Sequence, residues 1–234
     1  MKWLCAVLCP ALVVTGLAAG CVKTSGGTAI PASGASPSQR SILTTSSAAP
    51  TTPGPVTDLP GIETTLPDHI PPSALACYPP PIGTGSATVA AVSDPVAPRI
   101  TITVPDGWSS ATGTGDTALT LTGPDGMTGT VTMSDTGILT AAAVFLRYAA
   151  DLRQSKPGVE FTVAPAQFCA YSSQKLTGTF EGPSGVFDFA DRITDIWKNT
   201  KTYLVAIHVE RPAGATGFDA AKTALMADFA VVIP

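Results

Sequence analysis

The aromatic residues of this chain are confined almost entirely to its C-terminal two thirds. No Phe, Tyr or Trp occurs in the 74 positions between Trp3 and Tyr78, whereas 14 of the 15 aromatic residues lie from Tyr78 onward. Because aromatic side chains dominate the energetics of a core, the first third of the chain has little from which to build one. We therefore expect N-terminal segments without a core, followed by one globular domain over residues 77–234.

Charged residues follow the same division. Residues 1–76 hold six of the 30 Asp, Glu, Lys and Arg residues in the 234-residue chain, and the net charge is −4. A chain with so few charges and a negative balance has no electrostatic footprint for nucleic acid, which excludes nucleic acid as a partner.

Residues 1–20 have the pattern of a signal peptide. Lys2 supplies the positive charge, and the apolar run 4–17 is interrupted by Pro10 and shorter than a membrane-spanning helix of roughly 20 residues. The stretch Leu17-Ala18-Ala19-Gly20-Cys21 resembles a bacterial lipobox, although Leu17 lies one position earlier than is usual. It predicts acylation of Cys21, with palmitate among the chains added. Secretion after an ordinary small-residue cleavage site is the alternative.

Residues 21–76 are predicted to be a disordered tether. Of the 34 residues in 24–57, 28 are Ser, Thr, Pro, Gly or Ala, a composition that cannot bury enough apolar surface to offset chain entropy. Four prolines between 58 and 76 disfavour regular structure there. The expected location is therefore the extracytoplasmic face of the cell membrane, with the domain anchored through its N-terminal lipid.

Two cysteines remain for the domain once Cys21 is acylated. In an exported chain an even remainder favours a disulfide between Cys77 and Cys169, with two free buried thiols as the alternative. Neither has a Cys or His neighbour at metal-ligand spacing, so no metal site is expected.

The domain has the pattern of an α+β fold. Ile100, Ile102 and Val104 alternate with polar residues as in a half-buried strand, and apolar residues on both faces of 202–209 indicate a central strand. We predict a mostly antiparallel sheet of about six to seven strands with two main helices packed on it. The strands are placed near 99–104, 117–122, 128–134, 159–163, 170–181, 186–197 and 202–209, and the helices at 140–154, capped by Thr140, and from a capping box at Thr216 and Asp219 onward.

The order of these elements resembles a known family. The features are the lipobox, the Ser/Thr/Pro-rich tether, a strand ending Val104-Pro105-Asp106-Gly107-Trp108, a helix closed by Pro157-Gly158, the meander, and a final Phe-Asp-Ala-Ala helix. Over about residues 99–233 the chain is similar to the LpqN/LpqT-type lipoproteins of mycobacteria, whose fold is similar to PsbP-like α/β sandwiches. The resemblance implies a cell-envelope lipoprotein without an assigned catalytic site, acting by binding.

A group of acidic residues on one predicted strand is the main candidate for a site. By strict alternation Asp191 and Asp195 share a strand face with Trp197, where charges are costly unless they are paired. Three interpretations are open: a bulge or edge position that turns the carboxylates outward, an internal pair with Arg or Lys, and a polar spot in a ligand cleft. We expect the bulge or edge position. Under the third reading Asp191, Asp195 and Trp197 line the cleft.

The sequence gives no positive sign of catalysis. It has no nucleophile elbow, phosphate-binding loop or zinc-protease motif, and His208, on a strand, fits a structural role better than that of a general base. We expect no enzyme, cofactor or catalytic residue. The predicted function is binding of another protein or an envelope component. A carrier or sensor for a hydrophobic ligand such as an envelope lipid is the alternative, and a hydrolase with an unfamiliar site is a third class.

Overall fold

The computed structural model describes residues 59–63, 71, 73–80, 82 and 84–234. The predicted signal peptide, Cys21 and most of the predicted tether lie outside these residues. The described residues all belong to one compact unit, Thr51–Pro234. Two hydrophobic clusters and a disulfide lie within this unit, so it has its own core and is expected to fold by itself.

The described part of the chain forms two antiparallel sheets and two α-helices. One sheet has seven strands in the order β4-β5-β6-β10-β9-β8-β7, and the other has four in the order β1-β11-β3-β2. In chain order the elements are β1 (Leu75–Cys77), β2 (Gly85–Ala90), β3 (Arg99–Pro105), β4 (Ser109–Thr112), β5 (Thr117–Thr122), β6 (Thr128–Gly137), α1 (Ala141–Ser155), β7 (Glu160–Pro165), β8 (Ser172–Gly182), β9 (Gly185–Lys198), β10 (Lys201–Pro212), α2 (Phe218–Leu225) and β11 (Ala230–Val232).

The larger sheet is covered on both faces, as the apolar pattern of 202–209 predicts. On one face Val205 and Ile207 of β10 join a cluster that also contains Ile100 and Ile102 of β3, so this cluster fills the space between the two sheets. On the other face Ala206 of β10 belongs to a second cluster with apolar residues of α1. The fold class is therefore the predicted α+β sandwich, with a helix on each side of the seven-stranded sheet.

Of the smaller sheet, the sequence predicts β3 and misses β1, β2 and β11. Its β1 and β11 have three residues each, and β2 reads Gly-Ser-Ala-Thr-Val-Ala with only its last residue buried. Such segments have little hydrophobic alternation to detect. Strands β2 and β11 are held by pairing with β3, which lies between them, and β1 is held by pairing with β11.

The two helices differ in how well their starts were predicted. Thr140 is the N-cap of α1, and its Oγ1 accepts a hydrogen bond from the Ala143 N–H at 3.3 Å, as expected. The capping box predicted for α2 is wrong. Gly217 is its N-cap in a left-handed conformation, and Thr216 instead donates to Asp125 Oδ2 at 3.1 Å.

Residues that lie before the predicted domain boundary at residue 77 contact the domain. The Ser173 N–H donates to Gly61 O at 2.8 Å, and Gln174 Nε2 donates to Pro60 O at 2.7 Å. Segment 59–63, for which the sequence predicts a disordered tether, is thus hydrogen-bonded to β8. Composition gives no sign of this, because the accepting groups are backbone carbonyls.

The predicted cysteine pair is joined in the structure. Cys77 at the end of β1 and Cys169 before β8 form a disulfide with their Cα atoms 5.8 Å apart, closing a loop over 92 positions. The bond ties the start of the smaller sheet to the larger one. Loop closure on this scale is worth about 4–5 kcal/mol in the chain-entropy account.

Candidate ligand-binding site

Strand β9 places Asp191, Asp195 and Trp197 on one face, as alternation predicts. Its register with β8 and β10 is continuous, and it lies between those two strands. The expected bulge or edge position is therefore wrong, because the carboxylates are on a central strand that shows no register shift. The structure also separates the three residues: Asp191 belongs to an interior network, whereas Asp195 and Trp197 line a cavity.

Asp191 is fully buried and fully engaged. Its Oδ2 accepts from the hydroxyl of Tyr148 on α1 at 3.0 Å, and its Oδ1 is 2.5 Å from His208 Nδ1 on β10. The other ring nitrogen of His208, Nε2, is 2.9 Å from Glu210 Oε2. This oxygen also accepts a hydrogen bond from Lys156 Nζ at 2.9 Å. This chain of five side chains ties the middle of α1, through Tyr148, and its C-terminal end, through Lys156, to the sheet.

The network holds His208 in its charged form. Burial alone would lower the pKa of His208, but its hydrogen bonds with Asp191 and Glu210 outweigh burial and raise that pKa to about 9. The hydrogen bond from His208, together with Lys156, lowers the pKa of Glu210 to about 2. With both ring nitrogens bound to carboxylates, His208 has no free nitrogen for general base catalysis, which fits the structural role predicted for it.

Arg192 does not pair with Asp191 or Asp195, because it points to the opposite face of β9. It is fully buried and donates to Met226 O at 2.9 Å and to Ala166 O at 2.8 Å, and its Nη2 lies 2.7 Å from Asp228 Oδ1. Burial lowers the pKa of Arg192, partly offset by Asp228. Arg192 is therefore not the partner of either carboxylate, and Asp191 pairs with His208 instead.

The cavity lies at the N-terminal end of α1 and has a volume of about 390 Å³. Its walls come from the loop and first helical turn at 137–142, the β9–β10 turn at 199–202, and segment 59–63. The apolar side chains of Ile62, Ile138 and Trp197 contribute much of the lining. The volume is within the range of small-molecule sites in proteins, about 300–1,000 Å³.

Asp195 is the buried ionisable group of this cavity. Its side chain lines the wall, yet the residue is only 6% exposed. No hydrogen-bond partner for its Oδ1 exists in the part of the chain that the structure describes. Burial raises the pKa of Asp195 to about 7. A buried carboxylate with an unsatisfied oxygen is costly to stability, and such groups are concentrated at functional sites.

Of the described lining residues the sequence predicted only Asp195 and Trp197, and Ile62 and Glu63 are among those that it missed. Both lie in segment 59–63, and the Glu63 N–H donates to Ser172 Oγ at 2.8 Å. Ser172 is the residue of β8 that pairs with Asp195 across the sheet. The strand register thus brings a residue of the presumed tether beside the buried carboxylate, a long-range relation that no local sequence pattern contains.

The described residues contain neither a metal-ligand cluster nor a membrane-spanning element. Within them, no group of three or more His, Cys, Asp or Glu side chains is placed to hold a metal ion. The described helices are also too short or too polar to cross a bilayer.

The arrangement of the two sheets and two helices defines the class of fold. A seven-stranded antiparallel sheet with a helix on one face, and a smaller sheet and helix on the other, is an α/β sandwich.

Among solved structures, the chain is similar to LpqN of Mycobacterium tuberculosis, a protein involved in cell envelope biogenesis. The TM-score is 0.53 at 18% sequence identity, and the match covers 63% of this chain and 91% of LpqN. At this identity the similarity shows the fold, and it confirms the fold expected from the family resemblance. A protein of unknown function from Pseudomonas aeruginosa matches at 12% identity over 62% of this chain and 96% of its own, with a TM-score of 0.38 that supports no inference. No protein-family model matches the chain, and neither does any curated protein.

Proposed function

We propose that this protein is a membrane-anchored lipoprotein of the bacterial cell envelope that binds an apolar envelope component and does not act as an enzyme. The observation that carries the proposal is the open cavity at the start of α1, whose lining is mostly apolar and includes the buried Asp195 carboxylate. Apolar walls with a few fixed polar groups are typical of small-molecule sites. A carrier or sensor for a hydrophobic ligand is the function that this arrangement supports best.

The location in the envelope rests on two supports. The sequence before Cys21 resembles a lipobox. The fold is similar to that of LpqN, which is involved in cell envelope biogenesis. Palmitate labelling tests the anchor: the wild type is expected to incorporate label and the Cys21→Ala variant to lose it, and equal labelling of both would contradict acylation at this residue.

Binding without catalysis rests on the engagement of the histidine on this sheet face. Both nitrogens of His208 are bound by carboxylates, and no histidine or cysteine is among the described residues that line the cavity. The hydroxyl of Ser172, which lies beside Asp195, accepts the Glu63 N–H. The sequence also allowed binding of a protein partner and a hydrolase activity. Both remain hypotheses, because no described residue favours either function over binding of a small apolar ligand.

Native mass spectrometry of the full chain, released from the membranes of its own host, tests the proposal. The wild type is expected to carry a small apolar molecule. The Ala142→Phe variant, which places a ring on the cavity wall, is expected to lose it, whereas Ala150→Phe on the exposed side of the same helix keeps it. A wild type free of bound molecules, or equal occupancy in both variants, would contradict the proposal.

A further inference from the structure

We infer that the ligand of the α1 cavity carries a protonated amine on an apolar chain, and that this amine lies against the Asp195 carboxylate and the Trp197 ring. The inference rests on the proposed function and adds the chemical class of the ligand. It comes from the charges and rings that line the cavity.

The first argument is the balance of charge in the cavity wall. Two carboxylate residues, Asp195 and Glu63, line it, and the cationic residue among the described lining residues is Lys201. The Lys201 ammonium is already in ion pairs, because its Nζ lies 2.6 Å from Asp135 Oδ2 and 3.6 Å from Asp94 Oδ2. The site thus presents net negative charge to whatever enters it.

The second argument is the unsatisfied Asp195 carboxylate itself. A hydroxyl group would offer this carboxylate a hydrogen bond but leave its charge uncompensated in a largely apolar surrounding. A protonated amine supplies both the donor and the opposite charge, so it compensates the buried carboxylate where a hydroxyl cannot. A carboxylic acid ligand is disfavoured, because its anion would face Asp195 and Glu63.

The third argument is the aromatic ring on the same strand face. Trp197 lies two residues from Asp195 on β9, which spaces the two side chains by roughly 6.6 Å along the strand. A cation within about 6 Å of an indole face is attracted by the ring, and carboxylate-plus-aromatic lining is typical of ammonium recognition. The apolar chain of the ligand would then extend along Ile62 and Ile138.

Isothermal titration of the 51–234 unit at pH 8 with octylammonium, 1-octanol and octanoate tests the inference, because the three probes share a chain and differ only in the head group. Octylammonium is expected to bind at least about tenfold more tightly than octanol, and octanoate more weakly than either. The Asp195→Asn variant should lose the preference for the amine and keep octanol binding. Asp106→Asn, in an exposed turn, is the matched control and should behave as wild type.

Each result decides one point. If octylammonium and octanol bind equally and Asp195→Asn changes neither, the amine inference is overturned while the proposed apolar site stands. If none of the three probes binds, the proposed function fails as well. Should Asp195→Asn not fold, the Trp197→Leu variant serves instead, and an unchanged ratio of amine to alcohol affinity in that variant would also overturn the inference.

Discussion

Replacing the buried carboxylate of Asp195 should make the protein more stable while removing its selectivity for an amine. Burial raises the pKa of Asp195 from an ordinary 3.8 to about 7. Between these two values the folded state holds a proton that the unfolded state has released, so stability falls as pH rises through this window and is constant above it. The folded protein therefore carries an ionisation penalty at pH 8 that it lacks at pH 4.

The size of the effect follows from the shift. About three pH units at 1.36 kcal/mol each give a penalty of about 4 kcal/mol at pH 8. The amide of Asn cannot ionise but still needs hydrogen-bond partners, which reduces the gain. We expect Asp195→Asn to raise the free energy of unfolding by about 2–4 kcal/mol at pH 8 and to change it little at pH 4. The nearest other charges that line the cavity, Glu63 and Lys201, are common to both proteins and cancel in the difference.

Urea unfolding of the 51–234 unit at the two pH values, with the disulfide intact, measures this difference. Asp106→Asn serves as the control and should leave the unfolding midpoint where it is at both pH values. A stabilisation of equal size at pH 4 and pH 8, or none at either, would show that Asp195 is not an ionisable group held in an unfavourable site. A residue that is retained for function at a cost in stability is expected to give a more stable protein when it is replaced.

Three further outcomes are expected. The raised pKa of His208 contributes stability that is fully present below pH 6.5 and is lost as pH rises through 9. In urea unfolding, the free energy of unfolding of the wild type should therefore fall by about 3 kcal/mol over this range. A His208→Gln variant whose free energy of unfolding falls equally with pH would contradict this assignment. Replacing Cys77 and Cys169 by Ser should lower the free energy of unfolding by about 2–5 kcal/mol, and a variant as stable as wild type would show that the loop constraint contributes nothing. Gly61→Ala would place a Cβ 2.0 Å from Ser173 O at a φ of +78°. It should therefore detach segment 59–63 and weaken octylammonium binding, with little change in melting temperature. Unchanged octylammonium binding in isothermal titration would exclude this segment from the site.

The fold was predictable where side-chain alternation is strong. In β10, apolar residues on both faces reflect the two clusters that cover the sheet, and Thr140 marks the start of α1 by its capping chemistry. The short strands of the smaller sheet were not predictable in the same way. Three residues such as Leu75–Cys77 show no period, and they form a strand only because β11 offers them a partner.

The candidate site was predictable in composition and not in geometry. Alternation placed Asp191 and Asp195 on one face, and the cost of unpaired charges on an apolar face argued for a bulge. The partners that make the burial of Asp191 possible come from α1 and β10, which the sequence does not place beside it. Only the register of the sheet shows that one carboxylate is satisfied and the other is not. Ile62 and Glu63 were missed because a segment rich in proline and poor in aromatic residues gives no sign that its backbone binds β8.

The ionisation state of Asp195 with and without an amine tests the central claim most directly. The side-chain carboxyl carbon of Asp195 in the 51–234 unit can be followed by ¹³C NMR against pH, with Asp195→Asn identifying the signal. We expect a pKa near 7 in the free protein and a lower pKa when octylammonium is saturating. By linkage, an amine that binds the ionised form about tenfold more tightly than the protonated form lowers this pKa by about one unit. A carboxyl group that titrates near 3.8 in the free protein, or whose pKa the amine leaves unchanged, would contradict the account.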